Sequence, residues 1–128
     1  MSIQRLHQLH ALGQSVWFDY IRRAFIRSGE LQGLMDQGVR GVTSNPSIFE
    51  KAIAGSADYD AALRPLVEAG KSVTEIYEDL ALADIQAAAD ILRPLFDQSD
   101  GRDGFVSLEV SPTLAHDTAG TIAEARRL

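Results

Sequence analysis

The chain has 128 residues, 45% of them hydrophobic and 23% charged, with no cysteine. Twelve Lys+Arg against 18 Asp+Glu give a formal charge of −6, which argues against general affinity for nucleic acid or anionic membrane. The lack of cysteine excludes disulfides, thiolate nucleophiles and Cys-based zinc sites, and it fits a reducing compartment. No apolar run approaches the ~20 residues of a membrane span, and the first fifteen residues hold no signal-peptide core. A cytoplasmic protein of one domain is expected, spanning residues 1–128, with enough chain to bury a real core.

Ile3, Leu6, Leu9 and Leu12 follow helical spacing and Gly13 stops that helix. Ser15 to Ile21 is β-branched and aromatic and predicts a first strand. Ser28 is expected to cap a helix bearing Leu31, Leu34 and Met35 that ends at Gly38. Val39 to Ser44 predicts a second strand, broken by Asn-Pro-Ser. Ser47 with Glu50 then has the pattern of a capping box for a short helix closed by Gly55. Ser56 to Ala69 reads as one helix that Pro65 should break or kink. Ser72 and Glu75 form a second capping-box pattern. It opens the strongest element, a helix through Leu95 whose end Pro94 should kink or shorten. Phe105 to Val110 predicts a third strand, and Asp117 or Thr118 caps a last helix.

Strands separated by helices imply parallel pairing through right-handed crossovers, with sequential strands as neighbours. An open doubly wound sheet and part of a (β/α)8 barrel both fit. A complete barrel takes roughly 250 residues, so on the second reading the chain is the front part of a larger domain.

Side chains alternate along a strand, and this parity locates a candidate site. Asp19 ends the first strand, Thr43 with Asn45 ends the second, and Glu109 ends the third, each on the side that carries polar residues. In parallel α/β folds that C-terminal edge is where ligands and chemistry sit. Two carboxylates and an amide there suit acid–base work on a polar substrate. Against this stands the capping of turns and helices, a common use of such residues. Other candidates are weaker. His7 and His10 lie one helical turn apart without a carboxylate to complete a metal site, and they read as a solvated face. His116 reads as a loop residue. Lys51 and Lys71 read as solvated charges, as do the pairs Arg22–Arg23 and Arg126–Arg127. Asp84 sits at the edge of the long helix's apolar stripe. Neither phosphate-binding glycine motif is present.

Gly41-Val42-Thr43-Ser44-Asn45-Pro46-Ser47-Ile48-Phe49 resembles the signature of transaldolases, as does Ser15-Val16-Trp17-Phe18-Asp19 ahead of it. Ser107-Leu108-Glu109-Val110-Ser111-Pro112, followed by Asp117-Thr118 and Gly120-Thr121-Ile122, resembles the strand and loop that carry the family's glutamate. The likeness runs along the whole chain in order and is nearest to the longer bacterial type, some of which are fused to glucose-6-phosphate isomerase. It implies a (β/α)8 barrel and transfer of a dihydroxyacetone unit between sugar phosphates through a lysine Schiff base, in the pentose phosphate pathway, with no cofactor and no metal. By position, Asp19 resembles the aspartate that handles the hydroxyl proton and Glu109 the glutamate that moves protons through a water. Asn45 resembles the asparagine that binds the dihydroxyacetone unit, with Thr43 in support. In the family the Schiff base lysine and the phosphate-binding arginine come later than any residue of this chain. The expectation is an N-terminal portion, inactive alone. A part of a fructose 6-phosphate aldolase-like enzyme and a non-catalytic interaction fragment are the alternatives.

Overall fold

The computed structural model describes residues 3–128; Met1 and Ser2, and the side chains of Ile3 and Gln4, lie outside the described parts. The chain is α/β. Helix α1 (Ile3–Ala11) precedes strand β1 (Val16–Asp19), helices α2 (Arg23–Arg27) and α3 (Glu30–Asp36), and strand β2 (Val39–Thr43). Helix α4 (Pro46–Ala54), a 3-10 turn (Ala57–Tyr59), α5 (Asp60–Glu68) and the 26-residue α6 (Val73–Gln98) follow. Strand β3 (Phe105–Val106), a second 3-10 turn (Pro112–Leu114) and α7 (Thr118–Arg127) complete the order. The three strands form one parallel sheet in the order β1-β2-β3, as a partial (β/α)8 barrel requires.

One face of the sheet packs under the helices. Ile21, Phe25, Ile26, Leu31, Val42, Phe49, Ala81, Ala88, Leu92 and Leu95 make the main core, with Phe18, Val106 and Leu108 against it. The other face carries Trp17, which stacks on Phe105 with ring centroids 6.3 Å apart. Gly41 lies under the Trp17 ring, where a Cβ would come within 2.5 Å of the indole. Only glycine permits that approach. The strand parity read from the sequence therefore holds for Phe18, Val42, Val106 and Leu108 against Trp17, Gly41 and Phe105.

Several local expectations need correction. Strand β1 covers Val16–Asp19 rather than 15–21, and β3 only two residues rather than six. β3 is short because β2 stops at Thr43, so the ladder has no partner beyond Ser107, whose N–H is the last to reach β2, at the Val42 carbonyl. There the Ser44 hydroxyl donates to the Ser107 carbonyl (2.6 Å) in place of a backbone bond. Helix α2 is too short to leave a periodic signal in the sequence. Gly29, at φ 88°, is the N-cap of α3; Ser28 instead ends α2. Ser47 caps nothing. Asn45 is the N-cap of α4, its side chain accepting from the Ile48 N–H, and Pro46 takes the first helical position, where its missing N–H has no cost. Ser56 caps the 3-10 turn, and α5 begins at Asp60. Pro65 and Pro94 interrupt neither helix. The carbonyls they deprive of a bond belong to Ala61 and Asp90, both exposed and open to hydration. The Ser72–Glu75 capping box and the Asp117 cap form as expected.

The largest correction concerns charge. Arg23 is not solvated, and Asp84 is buried rather than at the edge of the apolar stripe: the Arg23 Nε donates to Asp84 Oδ1 (2.8 Å) with side chains only 7% and 4% exposed. Tyr59, 1% exposed, donates its hydroxyl to Asp84 Oδ2 (2.7 Å) and accepts from the Arg23 N–H. Burial and then the Asp84 bond push the Tyr59 hydroxyl well above the ordinary phenol range. Arg22 is paired too, with Asp58 (2.7 Å), and Arg127 joins α7 to α6 through Glu78 (2.7 Å).

Breaking one partner of a buried pair leaves a charge uncompensated. Asp84→Ala should therefore lower the urea unfolding free energy by roughly 3–5 kcal/mol, whereas Asp60→Ala, on an exposed position of α5, should change it by less than about 0.5 kcal/mol. Acid provides a second check. The Arg22 hydrogen bond holds Asp58 below the ordinary carboxylate range, and the Arg127 hydrogen bond does the same for Glu78. A depressed folded-state value stabilises above the unfolded value near ~4 and is lost as pH falls through the folded value. Melting temperature should fall below about pH 4, and Asp58→Asn should make that fall shallower.

Candidate functional site

The parallel register sets Asp19 opposite Thr43 at the C-terminal ends of β1 and β2. The Thr43 hydroxyl donates to Asp19 Oδ1 at 2.7 Å. Asp19 is exposed, and Trp17 and Gly41 lie two residues upstream on the same face. One carboxylate oxygen is thus occupied and oriented, and Oδ2 is left open. The site's hydrogen-bond donor to Asp19 comes from a β-branched residue whose χ1 is stiff, which fixes the direction of that bond.

Asn45 follows two residues after Thr43. Its Oδ1 is committed to the Ile48 N–H (3.0 Å), so the capping use weighed against it in the sequence is real. Capping engages only the oxygen; the amide N–H donors are left over for another group. The half-buried side chain is thereby oriented by the first turn of α4.

Glu109 stands apart. It lies beyond β3 on an irregular segment, is exposed, and shares no hydrogen bond with Asp19, Thr43 or Asn45 among the described residues. It lines a groove of about 360 Å³ with Tyr77, Glu78, Leu108 and Val110, between α6 and the segment leading to the second 3-10 turn. Tyr77 packs edge-on against Phe49 (6.1 Å). Burial, and then the charge of Glu109, push its hydroxyl above the ordinary phenol range. Sequence reasoning missed Tyr77 as a neighbour of Glu109, because a tyrosine in a helical apolar stripe looks like core. Nothing in the sequence spacing joins residues 77 and 109.

The other candidates separate plainly. Lys71 forms an ion pair with Asp79, whose hydrogen bond raises the ammonium above its ordinary range; Lys51 is exposed on α4. His116 is exposed in the turn before α7. His10 lies 3.8 Å from Asp103, and no group of three or more metal-ligating side chains is found among the described residues. Among the described residues no helix is long and apolar enough to cross a membrane.

A parallel sheet covered by crossover helices on one face, with an oriented carboxylate at the C-terminal ends of adjacent strands, is the layout of an α/β enzyme of the barrel type. The family model described as transaldolase/fructose-6-phosphate aldolase matches residues 16–128, and the chain belongs to that family. It is 53% identical over 128 residues to transaldolase 2 of Nostoc punctiforme, covering 99% of this chain and 34% of that one. It is 48% identical over 123 residues to the transaldolase of Neisseria gonorrhoeae, covering 96% and 35%. With the transaldolase of Acidothermus cellulolyticus it shares 51% over 124 residues, covering 96% and 33%. The chain spans about a third of the length of these curated relatives.

The Glu109–Tyr77 relation can be measured. With carbon-13-labelled tyrosine, one ring signal, absent in Tyr77→Phe, should titrate above free tyrosine. Glu109→Gln removes a negative charge that disfavours the phenolate, so the same signal should titrate lower while remaining above the free value, because burial persists.

Proposed function

We propose that these residues are the N-terminal part of one (β/α)8 barrel domain and supply the acid–base side of a transaldolase active site. The reaction moves a dihydroxyacetone unit from sedoheptulose 7-phosphate to glyceraldehyde 3-phosphate through a lysine Schiff base, in the pentose phosphate pathway of the cytoplasm. The observation that carries the reading is the Asp19–Thr43 pair at the strand ends. Family membership and three relatives named as transaldolases support it.

Asp19 takes the proton of the substrate hydroxyl as the C–C bond breaks and returns it when the new bond forms. Its Oδ2 is the free basic atom, since Oδ1 accepts from Thr43. A base held by a stiff donor keeps one geometry through both half-reactions. Asn45 donates its amide hydrogens to the oxygens of the dihydroxyacetone unit. Glu109, the second carboxylate, moves protons through a water as the Schiff base forms and is released. Sugar phosphates are the partners, and the step needs neither metal nor organic cofactor.

The electron sink is a neutral amine that attacks the ketose carbonyl. Neither lysine of this chain suits that role. The Asp79 ion pair stabilises the charged form of Lys71, and Lys51 is exposed on a helix rather than inside the sheet. The nucleophile of the proposed reaction is neither of them.

Two measurements test the reading. Borohydride trapping of the 128-residue chain with fructose 6-phosphate, read by intact mass, should give no dihydroxyacetone adduct; an adduct on Lys51 or Lys71 overturns the division of labour. A chimaera in which this chain replaces the matching third of the Nostoc punctiforme protein should turn over sedoheptulose 7-phosphate. In it Asp19→Asn should lower kcat by ~10²–10⁴-fold, and unchanged kcat removes Asp19 from the mechanism.

A further inference from the structure

The end of the sheet opposite Asp19 holds a second polar cleft, of about 660 Å³, between α1, the start of β1, and the C-terminal end of α6. His10, Ser15, Arg40, Gln98, Ser99, Arg102 and Asp103 supply its polar lining.

Arg40 is placed there by a break in the ladder. Val16 pairs with Val39 and Trp17 with Gly41, so Arg40 is an extra residue on β2. A bulge in a parallel pair is rare, costs ladder regularity and re-aims a side chain. Here the carbonyl of the bulged residue is still used, accepting from the Gly104 N–H (2.8 Å). The side chain is not: Arg40 Nε is buried without a hydrogen-bond partner among the described residues. An unsatisfied buried donor on a charged group is expensive, and an acceptor bound in the cleft, toward which the Arg40 side chain shifts, removes that cost.

The surrounding groups define the ligand. Arg102 donates its Nε to the Ser99 carbonyl (3.0 Å), which leaves its two terminal nitrogens as donors for another group. Asp103 is the acidic residue of the lining, and it is 3% exposed and already engaged. The Ser15 hydroxyl donates to its Oδ1, and His10 Nε2 lies 3.8 Å from its Oδ2. Among the described residues neither Arg40 nor Arg102 has a carboxylate within ion-pair distance. The cleft is thus locally cationic in a chain of charge −6. Donors approach it from two elements, a strand and the loop after α6. Two forks from different directions match a tetrahedral oxyanion better than a planar carboxylate, which one fork satisfies.

We propose that this cleft is a binding site for a phosphoryl dianion, either free phosphate or a phosphate monoester, separate from the proposed catalytic end of the sheet and independent of the reading of that end.

The test is titration of the nitrogen-15-labelled 128-residue chain with inorganic phosphate and, separately, with glycerol 3-phosphate, against chloride at equal ionic strength. Saturable shifts at the Arg40 and Arg102 Nε–H signals and at the Ser15 and Ser99 amides are expected with at least one of the two. Arg102→Met, at an exposed position, and Arg40→Met should each weaken binding by about tenfold, the value of one charge-assisted hydrogen bond. Tighter binding of the monoester identifies an esterified metabolite as the source, and tighter binding of phosphate the free ion. Shifts that do not saturate with either probe, that scatter over the surface, or that keep their affinity in Arg102→Met overturn the proposal.

Discussion

The buried pair of Arg23 and Asp84 is the contact on which the arrangement of this chain depends. Arg23 opens the helix that follows β1, Asp84 lies near the middle of α6, and they are 61 positions apart in the sequence. Tyr59 completes the group from the turn before α5. Three segments distant in sequence are thus fixed at one buried polar point. Each member is satisfied: Asp84 accepts from both partners, and Arg23 also donates to the Leu80 carbonyl (3.3 Å). The Arg23 guanidinium lies 4.6 Å from the centre of the Tyr59 ring, adding a cation–π contact. A fully satisfied network of this kind specifies one arrangement of its elements, whereas interchangeable apolar contacts permit several.

Its position also bears on the candidate site. Only Tyr20, Ile21 and Arg22 separate Asp19 from Arg23. Ile21 is fully buried, Arg22 is held by Asp58, and the same carboxylate accepts from the Ala24 N–H (3.2 Å). The backbone after β1 is therefore anchored at four successive residues, and the direction in which Asp19 leaves the strand is set by that anchoring. Asn45 is oriented differently, by the helix it caps, and Glu109 by neither device. The three candidate residues are thus held differently: Asp19 accepts from Thr43, Asn45 from the Ile48 N–H, and Glu109 makes no side-chain hydrogen bond among the described residues.

The two ends of the sheet are built on different principles. At the C-terminal end a regular register places Asp19 and Thr43 side by side, and their chemistry follows from the ladder itself. At the N-terminal end the ladder is broken at Arg40, and the polar cleft follows from the break. Between them Gly41 under Trp17 continues the inner face without a side chain of its own. One five-residue strand thus contributes to both ends.

The parallel sheet, the order of its strands, the two faces as far as Val106 and the family signature were legible in the sequence, because each rests on local periodicity or on a contiguous motif; the short α2 and the setting of Glu109 were not. The strand-end residues Asp19, Thr43 and Asn45 were legible for the same reason. Sequence alone did not reveal that Asp84 and Arg23 are one buried pair, that Tyr77 lies beside Glu109, or that Arg40 is bulged out of its ladder. Those are relations between residues 32 to 61 positions apart, or between two strands in register, and no local pattern encodes them. Asp84 did leave a trace, a carboxylate beside an apolar stripe, but its partner is fixed only when α2 packs on α6. Strand ends moved for a related reason: β3 has β-forming residues through Val110, yet a strand extends only as far as its neighbour, and β2 turns away at Thr43.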